Sequence, residues 1–458
     1  MFASNDAHVT KAKVVRLKQI RLLGKIGKNK MRKMKNSGIE WIGEIPEDWE
    51  VGRVKNCYIH HKYVVGDNAD NYERLALTLN GVIKRSKVDA TGLQPEAFEG
   101  YQILRQNELV FKLIDLENVS TSRVGYSPFT GIVSPAYIVL NPRNEKESRF
   151  GEYFFLSMWQ REVFNHLGDD GVRSSLNAKD LLDIPYPLVS SDEKQKIVTF
   201  LDCKCSEIDS VISKTKSSIE EYKKLKQSII TETVTGKVKI ENGKVCGKYD
   251  TYKDSGVEWI GEIPSDWDCF YLSQIFYPVK NKNIGMQETN LLSLSYGKII
   301  RKNIETTFGL LPENFEGYNI IERDNIVLRL TDLQNDHKSL RVGLVTEKGI
   351  ITSAYLTLKN KTNMSSNYFY YLLHSFDIAK GFYGMGAGVR QGLNWNEIRS
   401  LRIISPKESF DQQQIADFLD KKCSEIDKLI TKKEQLVVEL EAYKKSLIYE
   451  VVTGKRSV

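Results

Sequence analysis

The chain has 458 residues, 41% of them apolar and 10% aromatic, a composition typical of a folded protein with room for two or three domains. No apolar run approaches the roughly 20 residues that cross a bilayer, and the N-terminus lacks the features of a secretory signal, so we expect a cytoplasmic protein. The six cysteines show neither zinc-ligand spacing nor a disulfide framework, which predicts reduced thiols.

Positive charge is concentrated at the N-terminus. Residues 1–35 contain eleven lysines or arginines against one acid, Asp6, whereas the formal net charge of the whole chain is only +7. The remainder is therefore slightly acidic, and a DNA-binding surface there must be a local basic patch. For the basic segment 1–36 two interpretations are open: a solvated segment, or a segment that contacts phosphates.

The chain contains an internal repeat of nearly half its length. The motif Glu-Trp-Ile-Gly-Glu-Ile-Pro-x-Asp-Trp around Trp41 returns around Trp259, 218 positions later. Such a constant offset indicates two copies of one domain plan. Further segments match at offsets of 217 or 218: 95–101 with 312–318, 131–137 with 349–355, 171–173 with 388–390, and 200–209 with 418–427.

The first part of each copy, 37–190 and 255–408, alternates short apolar segments with glycine, proline and asparagine turns, which predicts strands. An aromatic run in each copy, at 153–159 and 368–373, predicts a buried helix, with base stacking as the alternative role for these rings. Each first part is therefore predicted to be an α+β globule. We also expect Asn177 and Asn394 to cap the helices that follow them.

The second part of each copy, 191–236 and 409–455, lacks proline and has no glycine before its final Thr-Gly-Lys. Apolar residues recur there at spacings of three and four, which predicts two long amphipathic helices. We expect them to pack as an antiparallel coiled coil, with 237–254 as a linker. The predicted stripe contains Ile208, Ile212, Thr215, Ile219, Tyr222, Leu225 and Ile229 in the first helix, and Ile426, Ile430, Lys433, Val437, Leu440, Tyr443 and Leu447 in the second.

Motifs of catalytic sites are missing from the sequence. It contains no Gly-rich loop ending in Gly-Lys-Ser or Gly-Lys-Thr, no His-Glu-x-x-His and no Asn-Pro-Pro-Tyr type signature of amino-methyltransferases. The pair His60 and His61 has no partner at metal-ligand spacing. Segment 384–388 superficially resembles a nucleotide-binding turn, but no apolar strand precedes it, which favours a flexible loop. We therefore predict no catalytic residues, no bound metal and no enzyme activity.

The repeat, the motif before each globule, the two Gly-Val-Arg elements and the two Phe-Leu-Asp helix starts together resemble the specificity subunits of type I restriction-modification systems. The resemblance covers residues 37–455. It implies an α+β fold with two tandem target-recognition domains separated by two long antiparallel coiled-coil helices, related by a pseudo-two-fold internal repeat. It also implies that each domain recognises one half of a bipartite, asymmetric target in double-stranded DNA.

The resemblance further implies that the helices dock two modification subunits, which bind S-adenosylmethionine and methylate adenine. Restriction subunits that use ATP and magnesium complete such a complex, so these cofactors belong to partners and none is expected in this chain. The alternative function is a duplicated scaffold whose globules bind protein and whose helices mediate oligomerisation. Discrimination among DNA sequences separates the two hypotheses.

Candidate DNA contacts come from basic residues at related places in the two copies. Arg173 and Arg390 occupy equivalent positions in glycine-rich loops, where a guanidinium can contact phosphate or guanine; a structural salt bridge or carbonyl contact is the alternative. The copies differ around these candidates, which predicts different half-sites. The other candidates, each with a solvated surface charge as the alternative, are Lys84, Arg85, Lys112, Arg123, Arg301, Lys302, Arg329 and Arg341.

Overall fold

The chain forms two compact units: unit 1 comprises Met1–Ser213 and Val437–Val458, and unit 2 comprises Lys214–Leu436. Most of the basic segment, together with Arg173 and Arg390, lies outside the described residues. The computed structural model describes residues 32–88, 97–114, 116, 123–167, 175–304, 314–336, 339–385 and 392–458.

The globule of unit 1 is built on two four-stranded sheets. One sheet has the order β4-β11-β8-β9 and is antiparallel; the other has the order β6-β5-β10-β7, with β5 and β10 parallel. The strands are β1 Met34–Asn36, β2 Glu44–Pro46, β3 Glu50–Arg53, β4 Tyr58–His60, β5 Arg74–Thr78, β6 Gly81–Arg85, β7 Gln102–Leu104, β8 Leu109–Phe111, β9 Val124–Tyr126, β10 Gly131–Val133, β11 Ile138–Pro142 and β12 Pro185–Leu188. The helices are α1 Val54–Cys57, α2 Glu145–Gln160 and α3 Ala178–Asp183, with short 3-10 turns at Gly66–Asn71 and Val163–His166.

The globule of unit 2 repeats this plan, because the sheet β18-β25-β22-β23 and the pairs β19-β20 and β21-β24 correspond in order to the sheets of unit 1. The strands are β13 Lys239–Glu241, β14 Lys244–Gly247, β15 Tyr252–Asp254, β16 Glu262–Pro264, β17 Trp267–Tyr271, β18 Phe276–Pro278, β19 Leu292–Ser295, β20 Lys298–Arg301, β21 Asn319–Ile321, β22 Ile326–Leu328, β23 Val342–Leu344, β24 Gly349–Ile351, β25 Leu356–Asn360 and β26 Arg402–Pro406. The helices are α5 Leu272–Ile275, α6 Ser366–Ile378 and α7 Trp395–Ile398, with a 3-10 turn at Gly381–Gly384.

The predicted aromatic helices are α2 and α6, and their rings form the cores of the globules. In unit 1, Phe154 and Phe155 are buried against Tyr186, with ring centroids 4.9 and 5.9 Å apart. In unit 2, Tyr368 and Phe369 are buried in one apolar cluster with residues of the adjoining long helices. The core role of these runs is confirmed, since rings enclosed in this way cannot stack on bases.

The two long helices are α4, Ser191–Val234, and α8, Ser409–Val452, each 44 residues. At about 1.5 Å per residue each is roughly 66 Å long. Each helix contributes one part to each unit, because α4 passes from unit 1 to unit 2 at Ser213 and α8 passes back at Leu436. Within the described residues, no helix combines the length and apolar character that a membrane span requires.

Most of the predicted stripe is buried, including Ile208, Ile219 and Leu447, but Leu225 is 47% exposed. Its inclusion was wrong. The step from Tyr222 to Leu225 is a second step of three in succession, whereas alternation of three and four continues to Lys226, which is half-buried and pairs with Asp427 of the other helix. Beyond Tyr222 the buried face is continued instead by Ile230, which is 1% exposed within the unit 2 core.

Contacts within unit 2 show that the helices run antiparallel, since Lys433 Nζ lies 5.5 Å from the ring centroid of Tyr222, whereas Asp427, earlier in α8, meets Lys226, later in α4. Lys226 Nζ lies 2.7 Å from Asp427 Oδ1 in unit 2, and Lys444 Nζ lies 2.7 Å from Asp209 in unit 1. The two pairs are repeat equivalents of each other at the 218-residue offset. Both ion pairs are partly exposed, so each stabilises the fold by only about 0.2–1 kcal/mol. They are informative mainly because they identify residues of the two helices that lie opposite each other. The predicted antiparallel coiled coil is confirmed.

The repeated Trp-Ile-Gly-Glu-Ile-Pro motif receives the end of a long helix. Gly236, at the end of α4, has φ +71° and an added Cβ would lie 2.3 Å from Pro264. Gly454, at the end of α8, also has φ +71°, and its Cβ would lie 2.4 Å from Pro46. Left-handed backbone and close approach both require glycine here. The motif is thus explained by packing: each copy closes the helix that terminates in its own unit.

Gly236→Ala is expected to lower the free energy of unfolding by about 2–4 kcal/mol, because the methyl group meets Pro264 in addition to the left-handed backbone penalty. Gly243→Ala is the matched control: φ is +69° there, but no atom lies within 4 Å of the added Cβ. We expect it to lose only about 1 kcal/mol. Urea unfolding followed by circular dichroism measures both, and equal losses would contradict the packing role.

Candidate nucleic-acid interface

In unit 1, one hydrogen bond joins two segments of the chain. One segment directly follows Lys112, and the other begins shortly after Arg173. The backbone N–H of Leu176 donates to the carbonyl oxygen of Leu113 at 2.9 Å. Arg173 precedes Leu176 by three positions in the sequence and lies outside the described residues. We call Leu113 and Leu176 the loop base of unit 1.

Unit 2 has the same arrangement. The backbone N–H of Leu393 donates to the carbonyl oxygen of Leu330 at 2.8 Å, and these two residues form the loop base of unit 2. Arg390 precedes Leu393 by three positions. The next residue in each copy caps a helix as predicted: Asn177 Oδ1 accepts from Lys179 N at 2.8 Å, and Asn394 Oδ1 accepts from Asn396 N at 2.9 Å. In both units the described chain after the candidate arginine therefore begins with the loop base and a capped helix start.

The prediction that Arg123 and Arg341 contact DNA is contradicted by their burial, since their exposed fractions are 1% and 0%. The Arg123 Nη1 donates to the Ile114 carbonyl at 3.0 Å. A buried guanidinium is costly unless backbone acceptors satisfy its donors. Each arginine lies between the loop base and the strand that follows, so it fixes the base of the loop rather than touching a ligand.

Arg341 forms the fuller version of this network. Its Nη1 donates to the carbonyl oxygens of Arg329 at 3.0 Å and Thr331 at 2.8 Å, and its Nη2 donates to that of Asp336 at 2.5 Å. Its Nε donates to the Tyr383 hydroxyl at 3.0 Å. The backbone from Arg329 to Asp336 therefore surrounds the Arg341 guanidinium. Its conformation depends on hydrogen bonds that this single group donates.

Asp377 and Tyr383, which the sequence analysis did not single out, complete this network. Asp377 Oδ2 accepts from the backbone N–H of Arg341 at 2.7 Å. Burial raises the pKa of Asp377, and the hydrogen bond and charge of Arg341 oppose that rise. No spacing rule points to them, because Asp377 lies near the end of a largely apolar helix and meets Arg341 only in the fold.

Two of the remaining candidates adjoin the loop bases. Lys112 follows β8, its side chain is half-buried, and it interacts with other residues of the protein. Arg329 is also half-buried and forms an ion pair with Asp336 at 3.6 Å. Both side chains are at the edge of the globule where the loop base lies, so their contact with DNA remains a prediction.

The other four candidates lie on or directly after the second strand of a hairpin, β5-β6 in unit 1 and β19-β20 in unit 2. Lys84 Nζ forms an ion pair with Glu73 Oε2 at 2.5 Å. Arg85 is half-buried and interacts with other residues of the protein. Arg301 Nε donates to both carboxylate oxygens of Glu347 at 2.8 and 2.9 Å, while Lys302 is exposed. These pairs are exposed and weak, so phosphate can compete for the cations.

Glycines let each hairpin pack directly on the strand that follows the buried arginine. A Cβ at Gly125 in β9 would lie 2.6 Å from Leu77, and one at Gly343 in β23 would lie 2.5 Å from Leu294. At the hairpin tip of unit 2, Tyr296 is 75% exposed with φ +46°, a left-handed conformation that costs a non-glycine residue about 1 kcal/mol. In each unit the hairpin therefore packs against the sheet whose strand β8 or β22 leads to the loop base.

No metal-binding group of three or more histidine, cysteine or acidic side chains occurs among the described residues. None of the six cysteines, all of which lie in the described ranges, forms a disulfide. In both units the described residues thus place a hairpin with basic side chains on the same globule as the loop base.

Comparison with known proteins identifies similar chains over almost the full length, although no family model matches. A protein of Methanocaldococcus jannaschii, provisionally named the type I restriction enzyme MjaX specificity subunit, is 24% identical over 440 residues, covering 90% of this chain and 95% of its own. The type I restriction enzyme MjaVIII specificity subunit of the same organism is 24% identical over 250 residues, covering 49% of this chain and 56% of its own.

Among solved structures, the fold is similar to a chain from work on complex assembly and conformational transition of the type I R-M system. The TM-score is 0.63 at 11% identity, with coverage of 90% of this chain and 99% of that chain. These findings confirm the predicted α+β fold and the predicted family resemblance. They also agree with the prediction of a recognition subunit rather than an enzyme, since the relatives are named specificity subunits.

Proposed function

We propose, from the premise that this chain belongs to the specificity subunits of type I restriction-modification systems, that its two globules each recognise one half of a bipartite, asymmetric DNA target. The loop base and the adjoining hairpin of each unit form the recognition surface. Arg173 and Arg390 contact phosphate or base edges from the loops that these bases anchor.

The observation that carries the proposal is one supporting frame that presents different side chains in the two copies. Both units have the loop-base hydrogen bond, the capping asparagine and the buried arginine. The side chains presented differ: the hairpin tip has Leu79 in unit 1 and Tyr296 in unit 2, both exposed. A common frame with different exposed residues is what recognition of two different half-sites requires.

The helices α4 and α8 supply the docking surface for two modification subunits in this proposal. Those partners bind S-adenosylmethionine and methylate adenine, and restriction subunits with ATP and magnesium complete the assembly. This chain then contributes recognition, and the chemistry belongs to its partners.

A gel-shift series with the purified complex of this chain and its modification subunits tests the proposal. The target is identified first by sequencing methylated adenines in a genome that carries the complex. We expect retention of a duplex that holds both half-sites and loss of retention when either half is scrambled at constant length. Equal retention of scrambled duplexes would support the scaffold alternative instead.

Substitution of the loop arginines is expected to affect one half-site at a time. Arg173→Ala removes a contact in unit 1 and Arg390→Ala removes one in unit 2, and loss of a bidentate base contact costs about 1–3 kcal/mol of discrimination. We therefore expect binding of Arg173→Ala to become insensitive to substitutions in one half-site, and binding of Arg390→Ala to those in the other. Competition titrations with single-base variants of each half-site measure this, and loss at both half-sites from either change would indicate a structural role.

A further inference from the structure

The hairpin β19-β20 of unit 2 ends in a turn whose conformation tyrosine disfavours. Ser295 lies opposite Lys298, so the turn consists of Tyr296 and Gly297. Both residues have left-handed backbone, with φ +46° and +76°. Turns of this kind prefer asparagine, aspartate or glycine at the first position, because a larger side chain is crowded there. Local turn chemistry therefore gives no reason for a tyrosine at position 296.

The fold does not require this strained tyrosine. The equivalent hairpin of unit 1 turns through Leu79 and Asn80, neither of which is left-handed, before Gly81 with φ +90°. The Tyr296 side chain is also 75% exposed, and hydrophobic stabilisation grows with the area that is buried. A strained residue that contributes little to the turn or to the core points to a function outside the fold.

Contacts within unit 2 hold the turn in place. The Tyr370 hydroxyl of α6 donates to the Gly297 carbonyl oxygen at 3.4 Å. The Lys298 Nζ, directly after the turn, lies 3.4 Å from Asp427 Oδ2 of α8. The backbone that carries Tyr296 is thus anchored on two helices of its own unit. Such pre-organisation reduces the entropy that is lost when a ligand binds.

Positive charge follows the exposed ring along β20. The side chains of Lys298 and Arg301 are 70% and 72% exposed, and Lys302 is exposed as well. Residues 291–304 contain no acidic residue. Lys298 and Arg301 form surface ion pairs, which are weak, so phosphate can compete with their carboxylates. An aromatic ring beside cations suits the bases and phosphates of nucleic acid, whereas the cores of protein interfaces are depleted in lysine.

We propose that Tyr296 stacks on a base of the DNA half-site that unit 2 recognises, while the cations of β20 contact the neighbouring phosphates. This role rests on the proposed function and adds a residue that determines specificity. A ring that enters the base stack separates two base pairs, and the free energy of that separation depends on the base step. The hairpin tip of unit 1 carries Leu79 and Asn80 instead, so the effect concerns one half-site.

Two variants of the full chain, each purified with the modification subunits, separate the ring from the turn. Tyr296→Asn removes the ring, and we expect it to weaken binding of the target duplex about tenfold. Because asparagine is favoured in the left-handed turn, the same change should raise the melting temperature by about 1–2 °C. Tyr296→Phe keeps the ring, so binding should stay within about twofold of the wild type. Competition titrations and thermal unfolding measure the two quantities.

Photocrosslinking identifies what Tyr296 touches. Duplexes carry 5-iodouracil at single thymine positions in or beside each half-site, because this base crosslinks to aromatic side chains that lie against it. We expect mass spectrometry of the digested complex to find Tyr296 crosslinked at one half-site, and Tyr296→Asn to remove that product. Leu79→Asn, the matched change at the exposed hairpin tip of unit 1, should leave this crosslink and binding through that half-site unchanged.

Weaker binding of Tyr296→Asn with a higher melting temperature, together with the crosslink, supports the proposal. Wild-type binding by Tyr296→Asn, a lower melting temperature of that variant, equal losses from both variants, or no crosslink at any position would overturn it. Loss of the modification subunits from Tyr296→Asn would overturn it too, by showing that the ring contacts protein. If the wild-type complex still distinguishes scrambled half-sites in these cases, the proposed recognition function stands and only the role of Tyr296 fails.

Discussion

Arg341→Met is expected to lower the free energy of unfolding by about 3–5 kcal/mol, because it leaves several buried carbonyl oxygens without a donor. The methionine approximates the volume of the arginine stem, so the loss reports hydrogen bonds rather than a cavity. Arg301→Met is the matched control: that side chain is exposed and, among the residues that the structure describes, forms its ion pair with Glu347, and we expect a change within about 1 kcal/mol. Urea unfolding measures both variants.

The same change should affect DNA recognition in one unit only. Arg341 donates to the carbonyl oxygens of Arg329 and Thr331, which flank Leu330, so its removal frees the segment that is hydrogen-bonded to Leu393, three positions after Arg390. We expect the complex to lose discrimination at the half-site of unit 2 and to keep it at the half-site of unit 1. Competition binding below the temperature at which the variant unfolds checks this. Unchanged discrimination at both half-sites would mean that the buried arginine stabilises the fold without positioning the loop.

The domain organisation could be predicted from the sequence because the same order of segments occurs twice in the chain with a nearly constant offset. Helix periodicity located α4 and α8, whose buried residues repeat every three or four positions, and helix starts at Asn177 and Asn394 followed from capping chemistry. These features depend on residues near one another in the chain, so local pattern is enough to find them.

The buried arginines could not be predicted from local pattern. Arg123 and Arg341 are basic residues near the start of a strand, as are many surface residues, and their partners are backbone carbonyls that any sequence supplies. Their equivalent positions in the two copies were compatible with a role in DNA contact and equally with a structural role. The ion pairs of Arg32 with Asp48 and Glu193 were missed for a related reason, since these three residues are far apart in sequence and meet only after folding.

Inserting seven residues at matched positions in both long helices, near Ile219 in α4 and near Val437 in α8, is expected to lengthen the unread spacer of the DNA target. Seven residues keep the apolar stripe in phase and add about 10 Å to each helix. That distance equals about three base pairs at roughly 3.4 Å each. The half-sequences should stay the same, since they depend on the loop bases and hairpins of the globules. Sequencing methylated adenines across a genome reads out the spacer directly.

A single insertion in α4 alone is the control for this experiment. It shifts Lys226 relative to Asp427 while the partner helix is unchanged, so the register that the two ion pairs mark is broken in one unit. We expect that variant to lose methylation rather than to change its target. The double insertion keeps both pairs, although three base pairs also rotate one half-site by roughly 100° around the duplex, which should weaken binding. If the double insertion yields altered half-sequences with the original spacer, the helices do not set the spacing, and the division of roles between helices and globules is wrong.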